Sequence, residues 1–203
     1  DILLYPKLTE QDIDVERGVI LEEIAMKNDN PMDKIGDIFA DLIFEGNPLS
    51  WDISGSKETV TNIKRQDFVD FRRGFYTASN IVITVSGGVE VKEIENITKN
   101  YFSKLKPNTI KDPIKFVASQ NKPKLKVEYK KGEQAHLILG FLGHHRRHPD
   151  RYAEGLLATI LGRGMSSRLF TEIREKRGLA YAVGTSISRF IDTGVFDTYA
   201  GVN

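Results

Sequence analysis

Residues 16–26, ERGVILEEIAM, are predicted to form one amphipathic helix that carries two glutamates, Glu16 and Glu23, seven positions apart. Seven residues make almost two helical turns, so both carboxylates are expected on the same side of the helix. Helical spacing gathers the aliphatic residues around that same side: Ile13, Val19, Ile20 and Ile24. A carboxylate buried on an apolar face has to pair with a base or bind a metal ion. This helix is therefore the first candidate for a functional site.

Two explanations of the paired glutamates remain open at this point. In the first, Lys27 lies four residues after Glu23 and forms an ordinary ion pair with it along the helix. The many other charged residues of this helix favour that explanation when the helix is considered alone. In the second, the carboxylates bind or support a metal ion. The rest of the sequence has to decide between them.

The composition excludes several classes of protein. The chain has 203 residues, enough for one large domain or two small ones, and 40% of them are hydrophobic. Lysine and arginine total 29 against 28 acidic residues, so the net charge of +1 provides no field for nucleic acid. The sequence has no cysteine and no apolar run near eighteen residues, which argues against disulfides, thiolate sites and membrane spans.

Hydrophobic periodicity and turn residues define the predicted elements. Helices are predicted over residues 9–28, 30–46, 57–75 (one or two short ones), 90–105, 149–161 and 166–176, and strands over 80–88, 124–132, 134–143, 179–189 and 194–202. This segregated order favours an α+β fold over a doubly wound sheet. The region from 106 onwards is rich in proline and has no sustained period, which predicts a domain of residues 1–105, a linker of 106–123 and a domain of 124–203. Because the chain starts at Asp1 and ends within a predicted strand, we expect a piece of a longer polypeptide.

Two loops resemble ligand sites only superficially. In GHHRRHPD, residues 143–150, His144 and His148 have the spacing of a helical zinc pair, but the positions between them hold histidine and arginine. Because the acid of a zinc peptidase is missing and two arginines would repel a dication, a solvated basic loop is predicted. His136 lies in an alternating strand and is interpreted as a packed or edge histidine. GRGMSS, residues 162–167, lacks the lysine of a phosphate-binding loop and reads as a helix end followed by a helix start.

The stretch SSRLFTEIREKRGLAYAV, residues 166–183, is more informative. Leu169, Phe170 and Ile173 form the predicted buried stripe of a helix. Arg174 falls in its last turn, where the helix dipole favours a cation, and Tyr181 falls in the following strand. Both residues are ordinary in such places. They are also placed to point at one cleft, the arginine binding backbone carbonyls and the tyrosine donating to an oxyanion.

With these two motifs the chain resembles the pitrilysin and insulinase family of zinc peptidases, which includes the mitochondrial processing peptidase. ERGVILEEI is similar to the family helix that carries the third zinc ligand, and residues 164–201 are similar to its later substrate-binding segment. The resemblance implies a metallopeptidase module of the mitochondrial-processing-peptidase and LuxS-like type. It predicts a mostly antiparallel sheet with helices packed on one face, and parts of two tandem modules.

The resemblance also assigns roles to residues. It implies that Glu23 is a zinc ligand, that Glu16 supports the site from the same helix face, and that Arg174 and Tyr181 bind the substrate. Tyr181 is in addition the expected oxyanion donor. The family motif H-x-x-E-H, with two histidine ligands and the catalytic glutamate, is absent from these residues. We therefore expect one zinc ion in the intact protein and no catalytic zinc or peptidase activity in this chain alone.

The implied function is that of a zinc-dependent metalloendopeptidase which hydrolyses peptides or unfolded segments in an enclosed chamber. The alternative is a non-catalytic scaffold or assembly subunit of the same fold. The expected partners are a peptide substrate and a second copy of the intact protein, with no nucleic acid and no membrane. A bacterial protein of this kind is expected in the cytoplasm, and a eukaryotic one in the mitochondrial matrix.

Overall fold

The computed structural model describes residues 2–202. Contacts divide these residues into two compact units, the first made of 2–21 and 57–113 and the second of 22–56 and 114–202. The units group residues by contact rather than by chain order. The predicted modules, 1–105 and 124–203 with a linker of 106–123, therefore remain a prediction.

The predicted helices and the last three predicted strands are present. They are α1 Glu10–Asp29, α2 Pro31–Ile43, α3 Lys57–Asn62, α4 Arg65–Phe75, α5 Val91–Phe102, β1 Ala135–Gly143, α6 Arg151–Gly162, β2 Ala180–Arg189 and β3 Gly194–Val202. Between α6 and β2 the chain forms a π-helix, Phe170–Glu175, and short 3₁₀ turns occur at Pro48–Ser50 and Ala78–Asn80. Within residues 2–202, no helix is both long and apolar enough to cross a bilayer.

In the first unit, Arg17 of α1 holds the end of α3. Its guanidinium donates hydrogen bonds to the carbonyl oxygens of Val60, of Thr61 at 2.9 Å and of Ile63 at 3.0 Å. The last carbonyls of a helix have no partner within the helix itself. Since α3 has only six residues, such contacts from outside stabilise it where its own length does not.

In the second unit the three strands form an antiparallel sheet in the order β1-β3-β2. β1 pairs with β3 from Ala135↔Val202 to Gly143↔Gly194, and β2 pairs with β3 up to Arg189↔Gly194. The central strand is thus the last one in the chain. Helices together with an antiparallel sheet confirm the predicted α+β class.

Helices lie against parts of both faces of this sheet. Gly140 of β1 lies against the ring of Phe39 from α2, and Thr185 of β2 lies against the end of α6. Gly140 and Thr185 are opposite consecutive residues of β3, Asp197 and Thr198, whose side chains point to opposite faces. In this detail the arrangement differs from a sheet with helices on one face only, because α2 from the earlier half of the chain covers β1.

The face of β1 that points away from α2 is uncovered. Leu137, Leu139 and Phe141 alternate along it and are 47%, 61% and 63% exposed. β1 is also an edge strand of the sheet, so its outer backbone groups have no neighbouring strand among the described residues. An apolar row and a free edge therefore coincide on one strand.

The prediction of strands over 80–88 and 124–132 is wrong, because neither segment pairs with another strand within residues 2–202. Alternating apolar residues predict an extended chain, but a strand also needs a partner for its backbone groups. The second segment is instead held in place by the side chains of three lysines. Lys124 binds Glu45 at 2.5 Å, Lys126 binds Asp41, and Lys130 donates to the carbonyl of Asn28 at 2.7 Å. We call residues 124–130 the lysine tether.

Candidate functional site

Glu16 and Glu23 are exposed on α1. The prediction that the two carboxylates are buried on an apolar face is wrong. Ile13 is the residue of this helix that is buried, while Val19 remains 46% exposed. The predicted apolar face is therefore only partly covered in the described residues, since Ile20 and Ile24 are half-buried. Neither carboxylate has a hydrogen bond or an ion pair within residues 2–202. Their oxygens remain available as acceptors.

Lys27 does not pair with Glu23, so the first explanation of the glutamates is wrong. Its ammonium binds Asp37 at 2.7 Å and also Asp52. Partial burial of the ammonium works to lower the pKa of Lys27, but the hydrogen bonds with Asp37 and Asp52 outweigh it and raise that pKa. Burial likewise opposes the shift at Asp52, whose pKa is lowered by Lys27 and by the backbone N–H of Ser54. Lys27 therefore pairs with Asp37 and Asp52 and not with Glu23.

The described residues fit one ligand of a zinc site but not a complete set. A free carboxylate such as Glu23 is a suitable ligand, yet a catalytic zinc needs three protein ligands. In the part of the chain from 2 to 202, a single group of three or more potential ligands comes together, and it is His144, His148 and Asp150. Glu23 is not part of it. Further ligands for a zinc ion at Glu23 would have to come from outside these residues.

The histidine group itself is poorly arranged for a metal ion. The rings of His144 and His148 are stacked, with centroids 3.8 Å apart and planes at 3°. Lone pairs lie in the ring planes, so parallel rings do not direct them at one point. His148 Nδ1 also accepts a hydrogen bond from the backbone N–H of Asp150 at 3.1 Å. The exposed Arg146 and Arg147 agree with the predicted basic loop, although the histidines are half-buried.

The isolated histidine of β1 is explained by packing. His136 lies on the edge strand, half-buried, with Nδ1 2.8 Å from the hydroxyl of Tyr199. Burial raises the pKa of Tyr199. The interpretation of His136 as a packed edge histidine is confirmed.

Arg174 and Tyr181, the two residues predicted to bind substrate, are brought together. The guanidinium carbon of Arg174 is 5.1 Å from the ring centroid of Tyr181. Both residues are exposed, Tyr181 by 74%, and neither side chain has a hydrogen bond or ion pair in residues 2–202. Five guanidinium N–H donors and one hydroxyl are thus open to an acceptor from outside. Such a pair suits carbonyl or carboxylate oxygens.

The local backbone explains how this pair forms. The π-helix makes a wide turn, with the N–H of Lys176 bonded to the carbonyl of Thr171 at 2.9 Å. Gly178 then adopts φ 60°, a left-handed conformation that glycine tolerates best, and the chain enters β2. The reversal brings Tyr181 back beside Arg174.

Sequence reasoning missed one member of this site. The sequence predicts Phe170 as part of the buried stripe, yet the guanidinium carbon of Arg174 also lies 4.9 Å from the centroid of its ring. The signal was present, because residues four apart on a helix are neighbours. Phe170 is half-buried, so it belongs both to the packing and to the site.

Known proteins share this architecture. A protease from Helicobacter pylori has the same fold with a TM-score of 0.87 and 27% identity, covering 96% of this chain and 48% of that one. This chain thus shares its fold with about half of that protease. Residues 62–203 match the family described as peptidase M16 inactive domain, and the chain belongs to the peptidase M16 family. The resemblance to zinc peptidases is confirmed.

Two further similarities concern a curated relative and a solved structure. An uncharacterized zinc protease from Streptomyces coelicolor is 40% identical over 212 residues, covering 99% of this chain and 45% of that protein. A chain of Complex III2 from Candida albicans has a TM-score of 0.77 at 18% identity, covering 92% of this chain and 46% of that one, which shows the fold alone. The chain spans about half the length of the curated relatives that it matches.

Proposed function

We propose that the intact protein containing this chain is a zinc-dependent metalloendopeptidase and that this chain supplies its substrate-binding pair. The observation that carries the proposal is the exposed pair of Arg174 and Tyr181, whose donors have no acceptor within residues 2–202. The relatives named zinc proteases support the reaction class. The family description as an inactive domain agrees with the incomplete ligand set at Glu23 within residues 2–202.

Each residue has a defined role in this proposal. Glu23 supplies one of three protein ligands of a zinc ion, and Glu16 supports the site from the same helix face. When bound, zinc supplies a Lewis acid for the scissile carbonyl and lowers the pKa of a water molecule. Arg174 holds carbonyl oxygens of the peptide, and the Tyr181 hydroxyl donates a hydrogen bond to the oxygen that gains charge. Peptides or unfolded segments would bind in an enclosed chamber between two copies of the intact protein in the cytoplasm.

Zinc content of the full-length protein tests this proposal. Glu23→Gln should lose most of the bound zinc, because a neutral amide is a much poorer ligand than a carboxylate. Glu16→Gln should weaken zinc binding by about 10- to 100-fold. Glu22→Gln, an exposed neighbour on α1, is the matched control and should keep its zinc. Equal and near-stoichiometric zinc in wild type and Glu23→Gln would rule out the assignment.

The second candidate function is a non-catalytic scaffold of the same fold. The family description and the occurrence of the fold in a chain of Complex III2 favour it. In this case Glu16 and Glu23 would be ordinary surface acids. Absence of zinc from the full-length protein, together with absence of peptide hydrolysis, would support the scaffold and exclude the peptidase.

A further inference from the structure

We infer that Phe170 is a positioning residue, whose ring holds the guanidinium of Arg174 in the orientation that binds peptide. The inference rests on the proposed peptidase function. It goes beyond it, because it adds a residue that makes no contact with substrate itself. The observation behind it is that one guanidinium lies over two aromatic rings, 4.9 Å from the centroid of Phe170 and 5.1 Å from that of Tyr181.

The two rings differ in how firmly they are held. Phe170 is half-buried and begins the π-helix, whereas Tyr181 is 74% exposed. Arg174 is exposed as well. A free arginine side chain has many rotamers, and ordering it on binding opposes affinity. The anchored ring of Phe170 reduces that freedom before a substrate arrives.

The contact leaves the donors of Arg174 free. A cation is attracted to the face of an aromatic ring, and this attraction uses none of the guanidinium N–H groups. A carboxylate in place of the ring would occupy two of them. Glu172, an acid of the same π-helix, is already engaged, since it binds Lys176 at 2.6 Å. That hydrogen bond lowers the pKa of Glu172 and keeps its carboxylate charged and paired.

Progressive fluorination of Phe170 in the full-length protein tests the inference. Each fluorine weakens the negative face of the ring with little change in its size, so folding is preserved while the attraction to Arg174 declines. We expect kcat/KM for a peptide to fall stepwise, by roughly 2- to 5-fold over the series, which is the size of an exposed cation–π contact. The loss should appear in KM with kcat nearly unchanged, because uniform binding is what is weakened.

Two comparisons make the result decisive. The same fluorination at Phe141, an exposed ring of β1, should leave both constants unchanged. Phe170→Leu, which removes the aromatic ring, should raise KM at least as much as full fluorination does. Phe170→Trp, which keeps an aromatic ring, should have a KM close to that of wild type. An active protein whose KM does not follow the fluorination series would overturn the inference and leave the peptidase function intact. A full-length protein without peptidase activity would overturn the proposed function and this inference with it.

Discussion

At the scale of single residues, Tyr181 is the side chain with the clearest chemical prediction. Its hydroxyl is open to an acceptor, while its ring contacts Arg174. In the full-length protein, Tyr181→Phe keeps the ring and removes the donor, so kcat for peptide hydrolysis should fall by roughly 10²- to 10³-fold. Thermal stability should hardly change, since the side chain is exposed. Tyr129→Phe is the control, and unchanged turnover in Tyr181→Phe would assign the tyrosine to packing only.

Asp197 in the middle of β3 is a residue whose charge opposes folding. Burial raises the pKa of Asp197, although the Ser186 hydroxyl donates to it at 2.8 Å and works against the shift. A raised pKa means that the folded state keeps the proton to higher pH than the unfolded state does. The stability that depends on that proton is present below the ordinary aspartate pKa of 3.8 and is lost as pH rises through the higher pKa of the folded state.

Asp197→Asn should therefore be more stable than wild type at pH 7, because the amide carries no charge to bury and still accepts the bond from Ser186. The difference should shrink towards zero below about pH 3, where both unfolded and folded carboxyl groups are protonated. Urea unfolding between pH 3 and 8 measures it. A variant that is less stable than wild type at pH 7 would show that ionised Asp197 stabilises the sheet.

At the scale of elements, the approach of α6 to β2 depends on one glycine. A Cβ on Gly162 would lie 2.3 Å from the backbone nitrogen of Thr185, whereas one on Gly155 of the same helix would meet nothing within 4 Å. Gly162→Ala should destabilise the chain by about 1–3 kcal/mol, because helix or strand has to shift. Gly155→Ala should stabilise it by up to about 1 kcal/mol through helix propensity. Denaturant midpoints of the two variants should move in opposite directions, and a shift in the same direction would contradict this account of the packing.

The elements also show what the sequence could and could not predict. The first two helices were predicted to start at residues 9 and 30, and in the structure the side chains of Thr9 and Asn30 accept hydrogen bonds from backbone N–H groups two or three residues later. Residues 80–88 were predicted as a strand, but the absence of a partner strand could not be predicted, because strand pairing depends on a distant segment. The predicted burial of Glu16 and Glu23 was wrong for the same reason, because a helix face is buried only where another segment packs against it. The meeting of Arg174 with Tyr181 was predictable from spacing, and the ring of Phe170 was missed because a stripe residue was assumed to serve packing alone.

At the scale of the whole molecule, the uncovered face of β1 predicts association. Leu137, Leu139 and Phe141 are exposed on an edge strand, and such strands pair readily with other chains. The 203-residue chain should therefore self-associate in sedimentation experiments, and sulfate should strengthen the association because it favours apolar burial. Leu139→Lys should shift the chain towards monomer, while Ile53→Lys in a loop should not. A wild-type monomer at about 100 µM, in sulfate as well as in chloride, would show that the exposed row has no affinity for itself.

The lysine tether has a consequence for how the chain resists proteases. Its attachment depends on ion pairs of Lys124 with Glu45 and of Lys126 with Asp41, and on hydrogen bonds from Lys130 to backbone carbonyls, rather than on ladder hydrogen bonds. Salt weakens exposed ion pairs, so raising sodium chloride from about 0.05 M to 0.5 M should release residues 124–130. Trypsin should then cleave after these lysines faster, and chymotrypsin, which does not recognise lysine, should cleave faster after Tyr129. The Asp41→Asn variant, which lacks one ion pair, should already be cleaved quickly at low salt. A cleavage rate of wild type that does not change with salt concentration would mean that other contacts hold the tether.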